Sequence, residues 1–249
     1  MNRTFWPAIL ILALGFAIFE STGIDLRVQD CLYNFQTRAW LVDEAAPIPR
    51  FLFYTGPKAL VWLIGLSILC SAIFYAKFPS LKIPRRDLLI AVLTIATAPA
   101  LVSLSKATTN TFTPAQIRRY NGTQPYVKVI EHYADKDKPT KRGRAFPAGH
   151  ASGGFALFAL AGLSSTRRGR AIGITIGLTS GTAMGLYQMF KGAHYLSHTF
   201  VTAIFCWIVF LGWRLIFSAL QTSPAPSGAG EILPESATRV FSPQTSPHR

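Results

Sequence analysis

The sequence predicts an all-α, polytopic membrane protein: a six-transmembrane-helix bundle with an amphipathic interfacial segment and a basic loop outside the membrane. Of the 249 residues, 50% are hydrophobic and 14% are charged, against about 25% charged in an average soluble domain. The apolar residues also come in blocks that reach or approach the roughly 20 residues needed to cross about 30 Å of hydrocarbon. These two observations exclude an ordinary soluble protein and a disordered one.

Six apolar blocks are the candidate membrane helices. They are Phe5–Phe19, Ala59–Ala76, Leu88–Leu104, Ala148–Leu163, Ala171–Phe190 and Thr199–Leu220. The first block also fits a signal peptide, although no clean small-residue cleavage site follows it. We expect residues 1–220 to form a single domain, and the Pro- and Ser-rich segment 221–249 to be a disordered cytoplasmic tail.

The basic residues indicate how the helices are oriented. The formal net charge is +14, and an excess placed between apolar blocks favours anionic lipid head groups over nucleic acid. The two short loops between helices two and three and between helices four and five are basic, with Lys77, Lys82, Arg85, Arg86, Arg167, Arg168 and Arg170. By the positive-inside rule, these loops and both termini are cytoplasmic. Segments 20–58, 105–147 and 191–198 then face the periplasm of a bacterial inner membrane.

Segment 20–58 contains an apolar spacing typical of a helix. Ile24, Val28, Leu32 and Phe35 would share one helix face. This pattern predicts an amphipathic helix that lies in the membrane surface. A simple packing loop is the alternative.

Segment 105–147 is basic although it lies on the outer side. Its nine basic residues are Lys106, Arg118, Arg119, Lys128, Lys136, Lys138, Lys141, Arg142 and Arg144. A long solvated loop can escape the positive-inside rule. The alternative, which the histidines described next favour, is a cluster that binds a phosphorylated head group.

Three histidines fall at helix ends on the outer side. His150 opens the fourth helix, and His194 and His198 enter the sixth, four residues apart, so that on a helix they would share one face. Three interpretations fit these residues. They could be hydrogen-bonded histidines at the membrane interface, ligands of a three-histidine zinc site, or the catalytic residues of histidine-based phosphoryl transfer. Ionisable groups at membrane depth are usually functional.

The residues before His150 predict an anion site. Pro147 suits the first turn of a helix, where its missing N–H costs nothing. We expect the N–H groups of Ala148, Gly149 and His150 to point outward at the positive end of the helix dipole.

These residues carry a family resemblance. The chain resembles the type 2 phosphatidic acid phosphatase superfamily of integral membrane lipid phosphatases, whose motifs are K-x6-R-P, P-S-G-H and S-R-x5-H-x3-D in this order. The corresponding residues here are Lys106-x6-Thr113-Pro114, Pro147-Ala148-Gly149-His150 and Tyr187-Gln188-x5-His194-x3-His198. The resemblance covers about residues 60–215.

The resemblance implies a six-helix bundle and a mechanism that uses neither a metal nor another cofactor. His194 would be the nucleophile that forms a phosphohistidine, His150 the general acid and base, and Lys106 the cation that holds the phosphate oxygens. Imidazole suits both histidine roles near neutral pH, and transferred phosphoryl groups need fixed positive charge around them.

Four positions depart from the family motifs. Thr113 and Gln188 replace arginines, Ala148 replaces a serine, and His198 replaces an aspartate. A neutral His198 could accept a hydrogen bond from His194, as the aspartate would. We expect Arg142, Arg144 and Lys191 to restore the missing charge, with Ala148, Gly149 and Gln188 completing the phosphate site.

The expected function is hydrolysis of a phosphate or diphosphate monoester of a lipid at the outer face of the inner membrane. The resemblance makes lipid A, undecaprenyl diphosphate and phosphatidate or phosphatidylglycerol phosphate candidate substrates. Two alternatives stay open. The same phosphohistidine could pass its phosphate to a lipid acceptor, or the chain could bind anionic lipid without catalysis.

Overall fold

The computed structural model describes residues 2–222, and the predicted tail therefore lies outside the described residues, apart from its first two. The α-helices are α1 (Asn2–Ser21), α2 (Ile24–Asp30), α3 (Pro47–Arg50), α4 (Gly56–Ile73), α5 (Arg85–Ser105), α6 (Gly149–Phe155), α7 (Arg167–Phe190) and α8 (Leu196–Thr222). A π-helical turn, Phe51–Thr55, joins α3 to α4, and a 3-10 helix, Ala156–Leu163, continues α6. Single 3-10 turns lie at Tyr75–Lys77, Pro114–Gln116, Arg118–Tyr120 and Asp135–Asp137.

All six predicted apolar helices are present, with ends shifted by a few residues. Within residues 2–222, four helical segments are long and apolar enough to cross a membrane: Thr4–Ser21, Pro47–Ile73, Arg85–Ser105 and Leu196–Gln221. The protein is a multi-pass, mostly helical membrane protein. Gly149–Leu163 is apolar but shorter, so the count of six spans stays a prediction.

Helix α7 has one face of glycine. Gly173, Gly177 and Gly181 repeat at every fourth residue, and a Cβ on Gly177 would lie 2.6 Å from the backbone nitrogen of Phe158. Small residues of this kind let two helix backbones approach closely. The helix therefore lies directly against the 3-10 helix that follows α6.

The core of the bundle lies between α5, α6 and α8. Val102 of α5, Phe155 of α6 and Cys206 of α8 are buried in one cluster. Helix α1 also belongs to the bundle, because Ala8 is buried against Phe210 and Leu211 of α8.

The predicted amphipathic helix in segment 20–58 is only partly correct. Helix α2 ends at Asp30, and the chain then forms a two-stranded hairpin, β1 (Tyr33–Asn34) paired antiparallel with β2 (Ala39–Trp40). Phe35 therefore lies in the hairpin and is exposed. The buried residues of α2 are Asp25 and Gln29. Helix α2 therefore packs on the protein through its polar face.

The expectation that the basic residues of segment 105–147 gather around a head group is wrong for three of them. Arg119 makes a bidentate ion pair with Asp30, and Arg118 pairs with Asp137. Lys128 donates to the backbone carbonyl of Glu20. Each of these contacts ties the loop to itself or to the N-terminal segment, so these three side chains have a structural role.

Candidate functional site

The three motif histidines meet at one end of the bundle. The ring centroids of His150 and His194 lie 6.2 Å apart, and the Nδ1 atoms of His194 and His198 lie 3.3 Å apart. Helix α8 begins at Leu196, so the expectation that His194 lies on the same helix as His198 is wrong. The turn between α7 and α8 nevertheless brings the two rings within hydrogen-bond reach.

That turn is held by contacts to its backbone. Gly192 has a φ of 71°, a conformation that favours glycine, and Trp40 of β2 packs where its Cβ would be. The N–H of Ala193 donates to the carbonyl of Gln188 at 2.8 Å. From the other side, Nε2 of Gln29 donates to the carbonyl of His194.

The residues before His150 use their backbone differently from the prediction. The N–H of Ala148 donates to Oγ1 of Thr202 at 2.9 Å, and Ala148 is fully buried. The expectation that this N–H is free to bind an anion is therefore wrong. His150 lies in the first turn of α6 beneath the ring of Tyr54, with 4.9 Å between the centroids. Its Nδ1 is buried and makes no hydrogen bond to the described residues.

Lys106 lies beside the start of α6. It follows α5, and its Nζ lies 3.3 Å from the position that a Cβ on Gly149 would occupy. Gly149 therefore leaves room for the lysine. Burial lowers the pKa of Lys106, because a low-dielectric environment disfavours the charged form.

Two more lysines bring charge to the site. Lys191 and Lys58 act electrostatically on His150 together with Lys106. Lys191 is also ion-paired with Glu44 at 2.9 Å. Lys58 was not predicted from the sequence, where its signal is a cation in the first turn of α4.

The other three predicted phosphate ligands lie as follows. Arg142 is exposed and donates to the carbonyl of Thr108, and Arg144 is exposed on the same loop. Gln188 is buried, and neither atom of its side-chain amide has a partner among residues 2–222. Its backbone carbonyl shapes the turn that carries His194.

The electrostatic surroundings of His194 suit a nucleophile. Burial lowers the pKa of His194 well below its usual value, and His198, Lys106 and His150 lower it further. A neutral imidazole keeps a lone pair for attack.

A cavity of about 640 Å³ extends from His150 between α4 and α5. Lys58, Lys106 and His150 line its polar end. Its apolar walls are formed by Val61, Trp62, Leu66, Leu69, Val92, Ile95 and Met184. Trp62 and Leu66 are more than half exposed, so this wall reaches the surface that would face lipid. Within the described residues, no three His, Cys, Asp or Glu side chains are placed to hold a metal ion.

Comparisons with known proteins agree with this geometry. The profile of the PAP2 superfamily matches residues 87–221. The lipid A 4'-phosphatase of Francisella tularensis subsp. novicida (strain U112) is 30% identical over 97 residues, which cover 38% of this chain and 41% of that protein. The chain thus spans less than half the length of this relative.

A solved structure has the same fold. The PAP2-type phosphatidylglycerolphosphate phosphatase of Bacillus subtilis superposes with a TM-score of 0.54 at 14% identity, over 89% of this chain and 99% of that one. The family profile spans more than half of the sequence and includes Lys106, His150 and His194. On this evidence, the chain belongs to the PAP2 superfamily.

Proposed function

We propose that the protein is a lipid phosphatase that works through a phosphohistidine on His194. The observation that carries this proposal is the cavity, which joins a cationic, histidine-lined end to an apolar wall open to lipid. A lipid phosphate matches these two parts of the cavity, because it has an anionic group attached to apolar acyl chains. The volume of about 640 Å³ falls in the usual range of ligand sites.

The contacts support a defined role for each histidine. Because Nδ1 of His194 faces His198, its Nε2 is the atom left to attack phosphorus. As the new N–P bond forms, the bond from phosphorus to the lipid oxygen breaks, and His150 gives that oxygen a proton. Water then attacks the phosphohistidine while His150 takes its proton, which releases phosphate and restores both imidazoles.

The proposed location is the outer face of a bacterial inner membrane. Helix α7 begins at Arg167 in a basic loop and ends at Phe190, just before the site. Its 24 residues span about 36 Å at 1.5 Å per residue. The basic loop and the site therefore lie at opposite ends of this helix, which supports a cytoplasmic loop and a periplasmic site.

Phosphate release from purified protein in lipid nanodiscs tests the proposal. The substrates are lipid A, phosphatidate, phosphatidylglycerol phosphate and undecaprenyl diphosphate, each with a chelator present. We expect release from at least one substrate, and a loss of about a thousandfold in His194→Ala and His150→Ala. His132→Ala is the matched control, since His132 is exposed in segment 105–147, the proposed outer loop.

Four results would contradict parts of the proposal. Full activity in His194→Ala would overturn the nucleophile. Loss of activity with the chelator, restored by a divalent metal, would overturn metal independence. Binding without release from any lipid would favour the non-catalytic alternative, and labelled phosphate recovered on an added lipid alcohol would indicate a phosphotransferase.

A further inference from the structure

Helix α2 holds the segment that carries the paired histidines. Two side chains of its buried face reach this segment: Gln29 donates to the carbonyl of His194, and Asp25 accepts from Ser197. The Asp25 carboxylate accepts two hydrogen bonds from Ser197, one from its backbone N–H at 2.9 Å and one from its hydroxyl at 2.5 Å. Residues 172 positions apart in the chain are thereby joined.

Asp25 also faces His198 across a small cavity. The cavity has a volume of about 10 Å³, and Asp25, Ser197 and His198 line it together with Thr111, Tyr126 and Lys128. That volume accommodates about one water, and a water needs two to four polar partners to be stable. The lining supplies a carboxylate, hydroxyls and an imidazole.

The tautomer of His198 decides whether His194 can attack. For Nε2 of His194 to keep its lone pair, its Nδ1 must carry the proton and donate it towards Nδ1 of His198. His198 must then carry its own proton on Nε2. An imidazole holds one tautomer only when the surroundings favour it, which a carboxylate does in a catalytic triad.

We propose that Asp25 is a positioning residue that supplies this carboxylate from outside the three motifs. It fixes the first turn of α8 through Ser197 and, through one water in the small cavity, favours the His198 tautomer that leaves Nε2 of His194 free. The role rests on the proposed function of His194, and it gives the buried polar face of α2 a purpose in the reaction.

The burial of Asp25 has an energetic cost that agrees with a functional role. Only 7% of its surface is exposed, and desolvation raises the pKa of its carboxyl despite the two hydrogen bonds from Ser197. The charged groups that act on it are Glu20 of α1 and Lys128 of the outer loop, and the titratable groups lining the same cavity are Tyr126, Tyr195 and His198. Groups retained at a cost to stability are typical of functional sites.

The test compares Asp25→Asn with Asp30→Asn in the full-length protein. Asparagine can still accept from the N–H of Ser197 but carries no charge. We expect Asp25→Asn to lower kcat at least tenfold, to leave KM within twofold, and to keep or raise Tm at pH 7. Asp30 is on the same helix and pairs with the exposed Arg119, so Asp30→Asn should keep kcat within twofold.

Other results would overturn the positioning role. A kcat of Asp25→Asn within twofold of wild type would do so. A loss of kcat accompanied by a lower Tm would indicate that Asp25 only caps α8. Asp25→Glu keeps the charge and guards against a folding failure of the first variant: we expect at least a third of the wild-type kcat, and a loss as large as that of Asp25→Asn would contradict the proposal.

A spectroscopic readout separates this proposal from the proposed function. Long-range ¹⁵N–¹H spectra of histidine-labelled protein report the tautomer of each ring. We expect one tautomer for His194 in wild type and a mixture in Asp25→Asn; identical spectra would overturn the proposal. The proposed function fails instead if wild type releases no phosphate from any lipid, a result that leaves the tautomer comparison intact.

Discussion

Lys106 differs from Lys191 in its partners. It forms no ion pair within residues 2–222, whereas Lys191 is paired with Glu44. A substrate phosphate would compete with Glu44 for Lys191 but could approach Lys106 directly. At the scale of single residues, we therefore expect phosphate binding to depend more on Lys106 than on Lys191.

The pH dependence of KM tests this role of Lys106. Because burial lowers its pKa, Lys106 loses its charge at a lower pH than an ordinary lysine, and KM should rise as the pH increases through that pKa. Lys106→Arg stays charged, so its KM should stay flat between pH 7 and 10. Lys106→Met should raise KM by about 10- to 100-fold at pH 7, since a charge-assisted hydrogen bond contributes about 1.5–3 kcal/mol. The same alkaline rise in Lys106→Arg would assign the effect to another group.

At the scale of elements, the glycine face of α7 sets the distance between the segment that carries His194 and the helix that carries His150. Helix α7 ends at Phe190, directly before the turn that carries His194. It packs on the 3-10 helix that continues α6, and His150 lies in the first turn of α6. Glycines at this contact let α7 approach the backbone of its neighbour. Its opposite face presents Ile172, Ile176 and Leu186, which are more than a third exposed, as a helix surrounded by lipid would.

Gly177→Ala should loosen this contact. The new Cβ would lie 2.6 Å from a backbone nitrogen, which cannot give way as a side chain can. We expect a loss of about 1–3 kcal/mol in the free energy of unfolding, typical of overpacking, measured by unfolding in mixed micelles. Gly212→Ala is the control, since nothing lies within 4 Å of its Cβ position. Equal stabilities of the two variants would show that α7 does not need this close approach.

At the scale of the whole molecule, the two ends of the bundle differ in kind. One end carries the basic loop before α7, and the other carries the histidines, α2 and the outer loop. The ion pair between Arg119 and Asp30 joins the outer loop to α2. Under the proposed function, the orientation of the bundle decides which aqueous compartment receives the phosphate.

Cysteine labelling with a membrane-impermeant maleimide tests the orientation. Cys31 is exposed next to α2, whereas Cys206 is buried in the core. In a Cys70→Ser background, Cys31 should react in right-side-out vesicles. Ser165→Cys, at an exposed position in the basic loop, should react only after the membrane is opened when Cys31 is also replaced by serine. Reaction of Ser165→Cys alone in sealed vesicles would reverse the assigned topology.

The sequence by itself determined the positions of the six helices and of Lys106, His150 and His194. Membrane helices can be recognised in a sequence because each must be apolar along its whole length. The motif residues could be recognised because each lies in a short motif of the family that the chain resembles. Family membership followed from the same residues, and the comparison with the PAP2 profile confirmed it.

Only the tertiary structure decided which distant side chains join the site. Apolar spacing predicted that α2 is amphipathic but could not show that its polar side chains Asp25 and Gln29 contact the segment from His194 to Ser197. The structure also brought Lys58 to the site and left Arg142 and Arg144 exposed on the loop. The physical reason is common to all of these residues: a side chain's partners depend on how distant segments pack, and that packing is not written in local spacing.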